Sequence, residues 1–249
     1  MTKFEDQSGD KDIECITPDD ILTFLTEQCE GQKQSTKRFK YTLLKSFFNF
    51  TINSARLDII NPCDAPVLRK SFRIAKGRTW TILEKDLVDE IIFKTEKPRN
   101  RLMLELMARG GMCIGEVLKL RTMDVDERNL LIKNPKSGRQ TEVVYIPQKV
   151  ADRLQKYISD NGIEPDDRTF PITYAAARIV VKKAGELVGI HLKPHDLRRH
   201  AATYASRSGT PLEIVSKVLL RHSNLSITQR YLGKISDVEA MRWIDKLHG

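Results

Sequence analysis

The sequence predicts a mainly helical protein with one small antiparallel β-hairpin, divided into two domains near residue 77. Three observations carry that prediction. Apolar residues recur at intervals of three and four through most of the chain, which is the spacing of a helix face. Two short β-prone runs, Leu130–Lys133 and Glu142–Ile146, flank a cluster of turn formers from Asn134 to Arg139. A proline-rich break, Asn61-Pro62-Cys63-Asp64-Ala65-Pro66, resists helix and is followed by a basic connector from Arg69 to Arg78.

Taken in order, residues 1–16 are polar and acidic, and the first helix opens at Thr17-Pro18-Asp19-Asp20. Threonine caps, proline suits the first turn, and the carboxylates favour the positive end of the helix dipole. Ile21, Phe24 and Leu25 form its apolar face. A longer helix begins near Ser35, with Phe39, Leu43, Phe47 and Phe50 as the expected core stripe. Lys33, Lys37, Lys40 and Lys45 lie largely elsewhere on it, where phosphates could meet them. The connector, with Arg73, Lys76 and Arg78, reads as an interdomain linker lying against a polyanion. Domains of 1–76 and 77–249 follow. Thr81 and Glu84 form a capping-box signature for the next helix, whose apolar side is Leu83, Leu87, Ile91 and Ile92. After the hairpin, helices are expected at about 149–159, 173–189, 196–207 and 211–220. A last helix is announced by Ser236-Asp237-Val238-Glu239 and carries Met241, Trp243, Ile244 and Leu247, which would pack on their own domain or on a neighbouring subunit.

The chain has 249 residues, a net charge of +9 and a pI near 9.4, a balance that favours polyanionic partners. The charge is uneven. Residues 1–30 carry two basic and nine acidic side chains, residues 31–76 ten basic and two acidic, and residues 77–249 thirty basic and twenty-two acidic. No apolar run approaches the ~20 residues needed to span a bilayer, and the polar opening is not a secretory signal. The four cysteines, Cys15, Cys29, Cys63 and Cys113, form no CxxC pair, so free thiols in a reducing cytoplasm are expected.

Four blocks carry the chemistry. The first is Gly111-Met112-Cys113-Ile114-Gly115-Glu116-Val117-Leu118-Lys119-Leu120, and the second is the hairpin turn with Lys136. The third is His195-Asp196-Leu197-Arg198, and the fourth is Leu220-Arg221-His222, followed nine residues after the histidine by Tyr231. Taken singly, each residue has an ordinary structural explanation. Together and in this order they resemble the tyrosine recombinases, also called the phage integrase family. The resemblance covers nearly everything from residue 17 onward and is strongest from 102 to 233.

The resemblance implies a two-domain recombinase fold, with a helical domain that binds the core DNA site and a mixed α/β catalytic domain. It implies that Tyr231 attacks a DNA phosphodiester, giving a 3′-phosphotyrosyl bond and a free 5′-hydroxyl. Arg198 would clamp the phosphate, His195 would assist proton transfer or hold the phosphate, and His222 would hydrogen-bond a non-bridging oxygen. Lys136 would protonate the departing 5′-oxygen. These residue types suit the reaction. Attack puts extra negative charge on the phosphate oxygens, which preorganised cations stabilise, and arginine offers a permanently charged planar fork. No metal or cofactor is expected. Lys33, Lys37, Lys40, Lys45, Arg73, Lys76, Arg78, Arg139 and Arg199 are the expected DNA contacts.

Three departures from the family pattern stand out. The residue after Gly111-Met112 is where the family carries its other catalytic arginine, and here it is Cys113. Arg109, four residues upstream beyond a Gly-Gly turn, is expected to point elsewhere. Loss of one such donor typically costs ~10²–10³ in rate, so turnover is expected to be impaired. The stretch from Gly209 to His222 is also one residue longer than is common in the family, an excess expected to sit in a loop. The usual first helix of the N-terminal domain has no counterpart in residues 1–16.

Partners implied by the resemblance are double-stranded DNA with specific sites and further copies of the chain, as a tetramer on DNA. The setting is a prokaryotic cytoplasm or a mobile element. Two alternatives stay open: a DNA-binding regulator that does not cleave, and a type IB topoisomerase sharing the chemistry.

Overall fold

The computed structural model describes residues 4, 9, 11–74, 82–135, 138–229, 231–232 and 237–248. The chain separates into two compact units, Met1–Arg78 and Thr79–Gly249. It is mostly helical with one small antiparallel sheet, as its residue patterning predicts. Lys76, Arg78, Thr81, Lys136 and Ser236, all named above, lie outside the described residues.

In the first unit α1 (Pro18–Gln28) begins as expected. Thr17 accepts a hydrogen bond from the Asp20 amide, and Asp20 accepts one from the Thr17 amide. The long helix α2 spans Gln34–Ala55. Its buried stripe is Tyr41, Leu44 and Phe48, not the expected phenylalanine set. Phe39, Leu43 and Phe50 are 62%, 54% and 71% exposed, and Phe47 is half-buried. The helix is apolar on two faces, so periodicity fits two phases. Tyr41 decides between them. Its hydroxyl donates to the Cys63 carbonyl at 2.7 Å, which lets the ring go inside and stack on Phe72. A 3₁₀ turn, Pro62–Asp64, and a short helix α3 (Pro66–Ser71) close this core. Arg69 and Lys70 are therefore helical, where a connector was expected.

The second unit is organised around helices α4 (Lys85–Lys94) and α5 (Pro98–Arg109). The α4 helix starts at Lys85 with Glu84 at its N-cap, and Glu84 makes no side-chain cap. In α5 every residue from Leu102 to Ala108 is buried, including Glu105. That carboxylate is stable inside because Arg153 meets it at 2.6 Å and Arg109 at 3.2 Å. A one-turn helix α6 (Ile114–Val117) leads to the sheet. Strands β1 (Val125–Asp126), β2 (Asn129–Lys133) and β3 (Thr141–Tyr145) pair antiparallel in that order, with Leu130 opposite Val144. The hairpin is where expected, and β1 is too short to show in the sequence. Helices α7 (Gln148–Asp160), α8 (Tyr174–Glu186) and α9 (Pro194–Arg207) follow.

After α9 the chain forms a short helix α10 (Leu212–Ile214) that runs directly into a π turn, Val215–Leu219. The Leu220 amide reaches back five residues to the Val215 carbonyl at 2.9 Å. A π turn holds one residue more than an α turn, and this one falls within the Gly209–His222 stretch. Helices α11 (Leu225–Gln229) and α12 (Asp237–His248) complete the unit. In α12 Trp243 is half-buried near Gly209, while Met241 and Ile244 are exposed.

Gly111, between α5 and α6, has φ +61, and a Cβ there would stand 2.8 Å from the Leu219 carbonyl oxygen. Gly111→Ala is expected to lower stability by about 1–2 kcal/mol from the left-handed backbone alone, with the Leu219 contact adding to it. Thermal unfolding checks this, and a melting temperature equal to wild type would contradict the close approach.

Candidate active site

Helix α9 presents His195 and Arg198 one turn apart, so both face the same side. Pro194 in the first turn and Asp196, which accepts the Lys193 amide at 2.9 Å, fix where the helix begins. The Arg198 guanidinium is almost wholly buried and serves as a hub. Nη1 donates to the Gly111 carbonyl and Nη2 donates to the Leu220 carbonyl at 2.5 Å. Glu116 Oε2 is 3.7 Å away. Gly111 and Leu220 belong to the first and fourth sequence blocks, so one side chain ties three blocks together. The Arg198 Nε atom is buried without a hydrogen-bond partner in the protein.

The Tyr231 ring lies against both histidines. Its centroid is 4.9 Å from that of His195 and 4.9 Å from that of His222, each edge-on. The Thr203 hydroxyl donates to the Tyr231 carbonyl at 3.1 Å, anchoring the backbone of the tyrosine to α9. Burial raises the Tyr231 pKa, and the Arg198 charge pulls it back. His222 is oriented through Nδ1, 2.9 Å from the Thr228 hydroxyl, which in turn reaches Ser216 Oγ at 2.8 Å. Burial, with the charges of Arg198 and Arg221, pushes the His222 pKa down to about 4. His195 is lowered by burial and by Arg199 and Arg198. Both imidazoles are neutral at pH 7.

Cys113 is the N-cap of α6, and its amide donates to Glu116 Oε2 at 2.8 Å. It lines a cleft of about 380 Å³ together with His195 and Arg198, and Lys119, Lys133 and Arg178 ring the same cleft. Those three cations are not among the expected DNA contacts. Lys133 directly precedes the hairpin turn and Lys119 lies within the first block, which is the signal that could have pointed to them. Arg109 is turned away, as expected, onto Asp89 and Glu105. Arg199 is buried and paired with Asp196 at 3.2 Å, and Arg139 is exposed. Arg221 is also buried here, on Glu116 at 2.7 Å, a residue that motif reading passed over.

In the first unit, Lys33 is exposed at the N-cap of α2 and Lys37 is half-buried. Lys40 donates to the Gln28 carbonyl at 2.6 Å, neutralising the C-terminal end of α1. Lys45 pairs with Asp64. Arg73 lines a cleft of about 750 Å³ with Lys45 and with two arginines the sequence reading did not single out, Arg38 and Arg69.

The lowered His222 pKa has a consequence for stability. In the unfolded chain a histidine takes up its proton as pH falls through ~6.5, whereas in the folded chain His222 does so only near 4. Proton uptake by the unfolded state therefore draws stability away as pH falls from about 6.5 towards 4. His222→Gln is expected to flatten the fall in melting temperature across that window. Parallel curves for the two proteins would show that His222 is not held neutral.

The tyrosine recombinase of Pseudothermotoga lettingae is 28% identical over 244 residues, covering 95% of this chain and 83% of the relative. Tyrosine recombinase XerA of Thermococcus onnurineus is 29% identical over 220 residues, covering 84% and 75%. Among solved structures, XerH site-specific recombinase bound to a palindromic difH substrate superposes with a TM-score of 0.75 at 18% identity, covering 95% of this chain and 72% of that one. The Tn1549 transposon integrase in complex with transposon right end DNA gives 0.72 at 16% identity, covering 96% and 88%. Residues 82–236 match the phage integrase family, and the chain belongs to that family of tyrosine recombinases.

Proposed function

We propose that this protein breaks and rejoins DNA at specific sites, with Tyr231 as the nucleophile. The observation that carries this reading is the meeting of Tyr231, His195 and His222 beside the buried Arg198 guanidinium. The Tyr231 oxygen attacks phosphorus, the bond to the 5′-oxygen breaks, and the strand is held as a 3′-phosphotyrosine. The tyrosine proton must leave during attack, and a neutral imidazole beside the ring is able to accept it. Arg198, whose Nε has no partner within the protein, stabilises the charge that builds on the phosphate oxygens. Lys136 is assigned the proton for the 5′-oxygen on the family pattern alone. Attack by the free 5′-hydroxyl of another strand reverses the chemistry and completes exchange.

The chain would grip duplex DNA through both units. Lys33, Lys37 and Arg73 in the first unit are open to phosphates, while Lys40 and Lys45 are already partly engaged within the protein. In the second unit the cleft cations Lys119, Lys133 and Arg178 suit the backbone of the scissile strand. Strand exchange between two sites calls for a tetramer on DNA. The solved relatives carrying DNA, XerH and the Tn1549 integrase among them, support DNA as the partner.

Cys113 favours a second reading, a DNA-binding regulator that does not cleave, since a thiol cannot supply the planar cation found there in the family. A nicked suicide substrate separates the two. Cleavage predicts a covalent protein–DNA adduct that disappears in Tyr231→Phe and falls by ~10²–10³ in Arg198→Ala. A regulator predicts DNA retention in a mobility shift with no adduct from either protein.

A further inference from the structure

Arg221 occupies a place where an arginine is costly. Its backbone is left-handed, at φ +55, a conformation that L side chains rarely adopt. Its side chain is only 3% exposed, and burial lowers its pKa. Such a position needs a reason, and the surroundings offer one. Nη2 donates to Glu116 Oε2 at 2.7 Å, Nη1 donates to the Leu219 carbonyl at 2.8 Å, and Nε lies 3.4 Å from Glu142 Oε2. Cys113 is near enough to act on its charge, as is Arg198.

The charges at this point decide the argument. Arg198 and Arg221 face Glu116 and Glu142, so the cluster is neutral with both arginines and carries a net negative charge with only one. A net negative cluster repels a phosphate, and it also draws Arg198 onto Glu116, which already stands 3.7 Å away. The Glu116 oxygen near Arg198 is the one that Arg221 occupies at closer range. An arginine at 113 would have answered the same carboxylates from the start of α6.

We propose that Arg221 supplies the second positive charge of the catalytic centre, the one Cys113 does not provide, by neutralising Glu116 and Glu142 so that Arg198 is left to face the phosphate. Arg221 is thus a positioning residue, and its role rests on the cleavage reading above. Position 221 has replaced position 113 as the source of the guanidinium, so the impairment expected from Cys113 is offset in part.

The test compares adduct formation on the nicked substrate by wild type, Arg221→Gly, Arg221→Lys and the double variant Cys113→Arg/Arg221→Gly. Glycine suits the left-handed backbone, so Arg221→Gly removes the charge without backbone strain. Its adduct rate is expected to fall by about 100-fold or more. Arg221→Lys, which keeps the charge, is expected to retain more activity than Arg221→Gly. The double variant is expected to recover most of the loss, because the charge returns from position 113. Wild-type activity in Arg221→Gly overturns the proposal. So does a double variant that melts like the wild type yet stays as inactive as Arg221→Gly, since Arg221 is then a purely structural cation. If none of the four chains forms an adduct, the cleavage reading fails and the role of Arg221 falls with it. An adduct from the wild type with no rescue overturns the role of Arg221 alone.

Discussion

The Arg198 guanidinium is a full positive charge held away from water, and the second unit is built to accommodate it. Taking an unpaired charge into a protein interior costs several kcal/mol, so its donors must be met by oriented acceptors. Those acceptors are the Gly111 carbonyl, the Leu220 carbonyl and, at longer range, Glu116. Each one constrains the chain around it. Gly111 must take a left-handed turn against Leu219 to aim its carbonyl at the guanidinium. The π turn sets the direction in which the chain leaves Leu219, and so where the Leu220 carbonyl points. His222 follows two residues later, and the Tyr231 ring lies edge-on against it. The Tyr231 ring is thereby located with reference to the Arg198 guanidinium.

The same burial sets the protonation states. His195 and His222 are pushed towards neutrality by low solvation and by neighbouring cations, and Tyr231 is pushed towards its protonated form. The site therefore keeps its two histidines and its tyrosine uncharged beside the paired arginines. An anion placed beside these groups favours positive charge on the imidazoles, so their proton affinity rises when one is present.

Much of this was legible in the sequence, for reasons that differ from element to element. The Thr17–Asp20 cap and the β2–β3 hairpin are local, and local chemistry is written in adjacent residues. The His195–Arg198 pair is one helical turn and reads equally well. The buried face of α2 was misread because two apolar stripes compete. The outcome depended on a hydrogen bond from Tyr41 to Cys63, twenty-two residues away. The π turn before His222 leaves no local signature in the sequence and is seen only in the backbone bonds. Arg221 was hidden for a similar reason. Its partners, Glu116 and Glu142, are far off in sequence, and nothing adjacent to Arg221 signals a buried ion cluster.

Position 113 is held in the fold through its backbone. The turn into α6 is held by the Cys113 backbone amide on Glu116 Oε2, a bond available to any residue except proline. The Cys113 side chain lines the cleft wall beside His195 and Arg198, where a small thiol fits. Arg198 is different, since three segments depend on its guanidinium and its removal would disturb the fold and the chemistry together. Arg221 lies between these cases. Its backbone would be easier as glycine, but its charge is needed because Glu116 must remain to hold the α6 turn. Keeping Glu116 for structure creates a demand for a cation beside it, and Arg221 meets that demand.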